Sequence, residues 1–238
     1  MIINKELLRE NAAILGTELS GEMLEKFDML ANLLIETNKS MNLTAIKEPD
    51  DIVVKHFADS LSLYSAIVPE NGAKVLDLGT GAGFPGIPLL IARPDLDLTM
   101  LDSTAKKLKY VADTVEALGL RAEVFHTRAE DAGKNPLYRE KYDIVCSRAV
   151  AALNILSEYC LPFVKVGGTF VAMKSAKADE EIASAKQAIR LLGGEITDKK
   201  TFFLSDGGER TLIIIKKVSQ TPPKYPRPSA KIAKQPLK

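Results

Sequence analysis

Along the first seventy residues, apolar side chains recur at helical intervals. Leu7, Leu8, Ala12 and Leu15 form one stripe, and Met23, Phe27, Leu30 and Leu34 form a second that Ser20 is placed to cap. The polar stretch TNKSMNLTAIKEPDD then predicts a loop. Asp50 or Asp51 would cap a third helix through IVVKHFADSLSLYSAIV, which PENGAK ends. From Val75 the pattern changes. Short apolar runs at 75–78, 96–101, 122–125, 143–146 and 169–173 alternate with amphipathic segments, the rhythm of βαβ units around a parallel sheet. The amphipathic segment at 177–192 places Ile182, Ala185, Ile189 and Leu192 on one face. Two further strand-like runs, TDKKTFFLS and RTLIIIKK, flank the turn DGGE and predict an antiparallel hairpin. The expected class is α/β with a Rossmann-like, mostly parallel sheet. Residues 1–70 form a helical extension, 71–218 the α/β unit and 219–238 a tail.

Composition changes this picture in two ways. With 238 residues and 46% hydrophobic content the chain can bury one large core but has little room for a second domain. The net charge of +1 hides an asymmetry, because residues 216–238 carry seven basic and no acidic side chains, leaving 25 basic against 31 acidic before them. A mildly acidic body thus carries a basic, proline-rich tail, read either as a solvated terminus or as an arm for an anionic partner. No apolar run approaches the ~20 residues of a membrane span, and MIINKELLRE has no secretory apolar segment, so a soluble cytoplasmic protein is expected. Cys146 and Cys160 lie in apolar stretches without metal-ligand spacing and are expected to be buried thiols; no metal is expected.

The candidate chemistry centres on VLDLGTGAGFPGIPL at 75–89. Gly81, Gly83 and Gly86 spell G-x-G-x-x-G, the dinucleotide fingerprint, while Asp77, Gly79, Gly81 and Gly83 spell D-x-G-x-G-x-G. Both registers put amides at a helix N-terminus where an anionic group can sit. Asp77 separates them, since a carboxylate there repels a pyrophosphate and attracts the ammonium of S-adenosylmethionine. At ~5 Å and an effective dielectric near 20, each such interaction is ~3 kcal/mol before solvation. Asp102, closing the second strand, suits ribose hydroxyls in either cofactor or caps the helix after Ser103. Ala129 and Glu130 lie where an adenine edge would arrive, and Ser147 and Arg148 stand at the mouth of the same crevice. His56 and Asp59, one turn apart, fit either a structural hydrogen bond or a wall of a substrate pocket. Cys146 lacks the preceding proline of a carbon-5 cytosine methyltransferase, and CSRA is not the motif of an exocyclic-amine enzyme.

With these stretches assembled, the chain resembles the 16S ribosomal RNA 7-methylguanosine methyltransferases, also called glucose-inhibited division protein B. The matching stretches are NKSMNLTAI, HFADSL, VLDLGTGAGFPGIPL, LDSTAKKLKYV, TRAED, SRAVAAL and YPR. The resemblance implies S-adenosylmethionine as cofactor, contacted by Gly79, Phe84, Ala129, Glu130 and Arg148 with Asp102, Ser103 and Thr104 beside the ribose and adenine, and the loop pattern adds Asp77 and Gly81. It implies methylation of guanine N7 in the small ribosomal subunit, at guanosine 527, by a monomer with no general base or nucleophile. Arg128, Arg148, Lys165, Lys174, Lys224 and Arg227 are the candidates for RNA contact. The tail departs from the family pattern, reading YPRPSAKIAKQPL where a further basic residue and a Gly-x-Pro-x-Lys run would follow. A nicotinamide oxidoreductase and a non-catalytic S-adenosylmethionine-binding module are the competing readings.

Overall fold

The computed structural model describes residues 2–148, 151–174 and 178–237. SRAVAAL and the segment predicted from 177 therefore fall partly outside the described residues. Two N-terminal helices, α1 (Lys5–Ile14) and α2 (Gly21–Asn38), open the chain. The Ser20 hydroxyl caps α2 by accepting from the Met23 amide at 3.2 Å, as its position predicts. The third helix departs from expectation. It begins at Pro49 behind Glu48, which makes no side-chain cap, so Asp50 and Asp51 are first-turn residues and not caps. It then runs as short pieces, α3 (Pro49–Ile52), a π-helical turn (Val53–Ala58), α4 (Asp59–Leu61) and α5 (Leu63–Ala66).

The α/β unit follows as β1 (Lys74–Leu78), α6 (Gly86–Ala92), β2 (Asp97–Asp102), α7 (Ala105–Ala117), β3 (Glu123–His126), α8 (Ala129–Ala132), β4 (Tyr142–Arg148), α9 (Leu153–Cys160), β5 (Val164–Lys174), α10 (Ala178–Leu191), β6 (Gly194–Phe203), β7 (Glu209–Lys217) and α11 (Ser229–Lys234). The seven strands are ordered β3-β2-β1-β4-β5-β7-β6. β7 lies antiparallel between β5 and β6, and the other pairings are parallel. The sheet reverses between β1 and β4, so a crevice opens at their carboxyl ends.

Alternation along each strand divides the apolar residues between two layers. Val75, Leu212 and Ile214 face a core shared with the N-terminal helices, α6 and α7, whereas Leu76, Leu78, Ile213 and Ile215 face α9, α10 and the tail. The first seventy residues are thereby continuous with the sheet's packing: Phe27, Leu30, Leu34 and Phe57 are fully buried in the same cluster as Val75 and Met100.

The basic tail is folded down. Tyr225 and Ile232 are buried, and the Arg139 guanidinium donates to the Tyr225 and Thr221 carbonyls at 2.8 and 2.6 Å. The buried Lys217 ammonium donates to the carbonyls of Leu161 and Val164 and to the Thr221 hydroxyl. Arg227 grips Glu158 of α9 through Nε and Nη2 at 2.8 and 2.7 Å. Of the two readings left open for the tail, the solvated terminus is therefore corrected. A segment that places apolar anchors and bidentate pairs at a helix face gains enough to offset the entropy of ordering it.

Candidate functional site

The glycine loop is built by two carboxylates acting on backbone amides. Asp77 is fully buried, and its Oδ2 accepts from the Thr80 hydroxyl at 2.6 Å and the Gly86 amide at 2.8 Å, tying the strand end to the first turn of α6. Asp102 accepts from the Gly81 amide through Oδ2 at 2.9 Å and from the Thr104 amide through Oδ1 at 2.8 Å. The amides of Gly79 and Thr80 donate to the Leu101 carbonyl, so the loop after β1 is lashed to the end of β2. Ser103 and Thr104 are exposed beside it, and the Ser103 carbonyl accepts from His126 Nε2 at 3.1 Å.

The glycines differ in purpose. At Gly81 (φ 59°) an added Cβ would meet nothing closer than the Gly79 carbonyl at 4.0 Å, so this position faces open space. At Gly83 (φ 90°) a Cβ would lie 2.4 Å from Ile87 Cδ1, and at Gly86 it would lie 2.7 Å from Met100 Sδ. Of these three, only Gly81 leaves room for a ligand; the other two serve packing.

Burial pushes the Asp77 carboxyl up to about 6, against the opposing pull of its two hydrogen bonds and of Arg148. Its Oδ1 is buried with no hydrogen-bond partner. Glu130, in α8 beyond β3, is also buried and makes no hydrogen bond or ion pair among the described residues. A buried acceptor without a donor, Asp77 Oδ1, in a loop whose Gly81 faces open space fits a ligand carrying an ammonium.

Beside the loop, and lined by none of its residues, lies a cleft of about 610 Å³. Arg148 at the end of β4 forms the boundary. Its Nη1 donates to Asp59 Oδ2 at 2.9 Å and to the Lys55 carbonyl at 3.2 Å, and its Nη2 donates to His56 Nδ1 at 3.2 Å. The π-helical turn makes this possible. The Asp59 amide bonds to the Val54 carbonyl, five residues back, and to that of His56 and not to that of Lys55, which receives Arg148. Asp59 uses its other oxygen for Arg210 Nε, again at 2.9 Å.

Because Arg148 can only donate, His56 Nδ1 is the acceptor and Nε2 carries the proton toward Thr44 Oγ1 at 2.8 Å. Burial, reinforced by Arg148, lowers the imidazole to about 3. Phe84 is only 4% exposed and lies between the two regions, stacked on His56 and with the Arg148 guanidinium carbon 5.4 Å from its ring centre. His56 and Asp59 make no side-chain hydrogen bond to each other among the described residues; both bond Arg148, and both line the cleft.

The basic candidates are redistributed. Lys174 lies inside the cleft, paired with Glu181 at 2.7 Å. Arg128 is exposed at the start of α8, and Lys224 is exposed against the Tyr225 ring. Arg227 is paired with Glu158. Lys165 pairs with Asp143, whose other oxygen holds the Lys74 amide, at the amino ends of the strands and hence away from the crevice. Lys165 is accordingly corrected as a candidate for RNA contact at the crevice. Arg210, Lys55 and Glu181 line the cleft in addition. Nothing local marks them: Arg210 reaches Asp59 across 151 residues of chain. Cys146 donates to the Leu76 carbonyl from within the sheet, and burial raises its thiol well above the usual range, so it is no nucleophile.

A family profile described as "rRNA small subunit methyltransferase G" matches residues 23–212. The chain is 48% identical to the ribosomal RNA small subunit methyltransferase G of Acetivibrio thermocellus, covering 98% of this chain and 96% of that protein. It is 44% identical to the protein of the same name from Brevibacillus brevis, covering 99% and 100%. Among solved structures, the cyclase SpnF superposes with TM-score 0.57 at 15% identity, over 82% of this chain and 95% of that one. TYW2 of M. jannaschii in complex with AdoMet superposes with TM-score 0.51 at 13% identity, over 64% and 73%. These last two likenesses concern the fold.

Proposed function

The chain belongs to the ribosomal RNA small subunit methyltransferase G family, and from that premise we propose that it transfers the methyl group of S-adenosylmethionine to N7 of a guanine in 16S ribosomal RNA, at guanosine 527. The observation that carries this reading is the meeting of two sites at Arg148: a glycine loop with a partnerless buried acceptor, Asp77 Oδ1, on one side and a cationic cleft on the other. In this reading the donor's methionine end lies over Gly79 and Gly81 near Asp77 and Phe84. Its ribose is held at Asp102 to Thr104 and its adenine at Ala129 and Glu130. The bound donor supplies an activated methyl on a sulfonium.

The chain's own residues position and exclude. Guanine N7 carries a free lone pair at neutral pH, so no group need remove a proton there. His56, held neutral with Nε2 protonated, and Cys146, inert in the sheet, fit a site without a base or nucleophile. Alignment can supply about 7–11 kcal/mol of the barrier. The cations at the cleft, Lys55, Arg148 and Arg210, suit RNA phosphates, with Lys174 deeper in the cleft and Arg128 and Lys224 as outlying contacts. The substrate is the cytoplasmic small subunit, approached by a monomer.

The test is to incubate the protein with labelled donor and small subunits lacking the modification, then map the methyl. Transfer to a guanine N7 of 16S RNA is expected. No transfer to RNA would sink the reading.

A further inference from the structure

The cleft beside Arg148 contains two carboxylates in different states. Asp59 is saturated, with one arginine on each oxygen. Glu181, near the start of α10, uses one oxygen only: Oε2 accepts from the Leu153 amide at 2.7 Å, at the N-terminus of α9, and pairs with Lys174 at 2.7 Å. Its Oε1 has no hydrogen bond among the described residues, and the side chain is 28% exposed. The amide of α9 and the ammonium of Lys174 thus fix the carboxylate and leave one strong acceptor available on the cleft wall.

Resting on the methyltransferase reading above, we propose that Glu181 is a specificity-determining residue, whose free Oε1 accepts from the Watson–Crick edge of the target guanine, at its N1–H and 2-amino group. Among the four RNA bases only guanine presents an N1–H beside an exocyclic amine. Adenine has an acceptor at N1, so a fixed acceptor opposite it is left unpaired and repelled. Lys174, on the same carboxylate, is a donor suited to guanine O6.

The contact also strengthens during reaction. As the sulfur–methyl bond breaks and the N7–methyl bond forms, the donor becomes a neutral thioether and the positive charge passes to the purine. That makes its N1–H and amino protons better donors to a carboxylate, so the interaction favours the transition state over the ground state.

Glu181→Gln gives a directional test. The Leu153 amide requires an oxygen at the Oε2 position, so the variant amide turns its NH2 toward the base, donor against donor. Small subunits are reconstituted with guanosine or inosine, which lacks the 2-amino group, at the mapped nucleotide, and kcat/KM is measured for both enzymes. Calorimetry of S-adenosylmethionine binding and the thermal midpoint report whether the variant is folded. Wild type is expected to prefer guanosine by about 10- to 100-fold, and Glu181→Gln to lose most of that preference along with activity on guanosine, while donor affinity stays. An unchanged guanosine-to-inosine ratio in the variant overturns the proposal, as does wild type that treats the two nucleosides alike. The second measurement needs no variant and stands even if Glu181→Gln fails to fold. Absence of transfer by wild type to guanosine would instead refute the underlying reading.

Discussion

The imidazole of His56 lies flat on the ring of Phe84, with 4.5 Å between centroids and 6° between planes. One ring edge receives Arg148 and the other donates to Thr44, so the glycine loop, the broken third helix and the end of β4 are fastened at a single neutral ring. Charging that ring would place a cation against Arg148 and remove the acceptor for it. Burial holds the folded-state value at about 3, below the ordinary 6.5. Between those values the unfolded chain binds the extra proton, so the stability from this residue is complete above about pH 6.5 and is lost as pH falls toward 3. Denaturant unfolding of wild type and His56→Gln at pH 7 and pH 4.5 should therefore show the gap between them narrowing in acid. A gap that is constant with pH would contradict a neutral, buried His56.

Asp77 has the opposite sign. Its folded value is raised from 3.8 to about 6 by burial, so the folded protein binds the extra proton in that window and this group's contribution to stability declines as pH rises from 3.8 through 6. Ligand binding runs the other way, because only the ionised form attracts an ammonium. Affinity for S-adenosylmethionine measured by calorimetry should fall from pH 7.5 to 5.5 in wild type. In Asp77→Asn it should be weaker throughout and flat over that range. The variant should keep its thermal midpoint, since an amide oxygen at the Oδ2 position can still accept from both Thr80 and Gly86. A wild-type pH profile as flat as the variant's would leave bracing of the loop as the residue's whole role.

The tail provides a test of packing against charge. Arg227→Ala would strand the fully buried Glu158 carboxylate, an expected loss of about 3–5 kcal/mol. Adding Glu158→Gln to it should recover part of that loss, because the buried charge is gone. Lys224→Ala, at an exposed position, should leave the thermal midpoint within a degree or two while reducing the salt dependence of RNA binding if it meets a phosphate. Equal destabilisation by Lys224→Ala and Arg227→Ala would contradict the docked tail.

What the sequence conveyed follows the range of the forces involved. Strand alternation, the Ser20 cap and the DGGE turn depend on neighbours within a few residues, and each is found where the pattern puts it. The Asp59–Arg210 and Glu158–Arg227 pairs join positions 151 and 69 residues apart and leave no local trace. Asp77 was legible as important but for only half the reason: its attraction for a ligand can be argued from charge, whereas its grip on the Gly86 amide depends on how the loop closes. The docking of the tail was not legible because Arg227 was counted without its partner Glu158, 69 residues earlier in the chain.

Gly81 and Gly83 separate binding from folding within one loop. Both have positive φ, so alanine at either costs about 1 kcal/mol for the left-handed backbone. At Gly83 the new methyl would also meet Ile87 at 2.4 Å, deep in a packed layer, which adds about 1–3 kcal/mol of overpacking. At Gly81 it would enter open space. If the donor lies along that open side, Gly81→Ala should lower S-adenosylmethionine affinity by tenfold or more with a shift of only a few degrees in thermal midpoint. Gly83→Ala should show the larger loss of stability, with donor affinity at low temperature reduced less. Calorimetry and thermal melts of the two variants side by side decide the matter. A Gly81→Ala protein that binds the donor normally would place the ligand elsewhere, because no other part of the loop offers a cause for the difference.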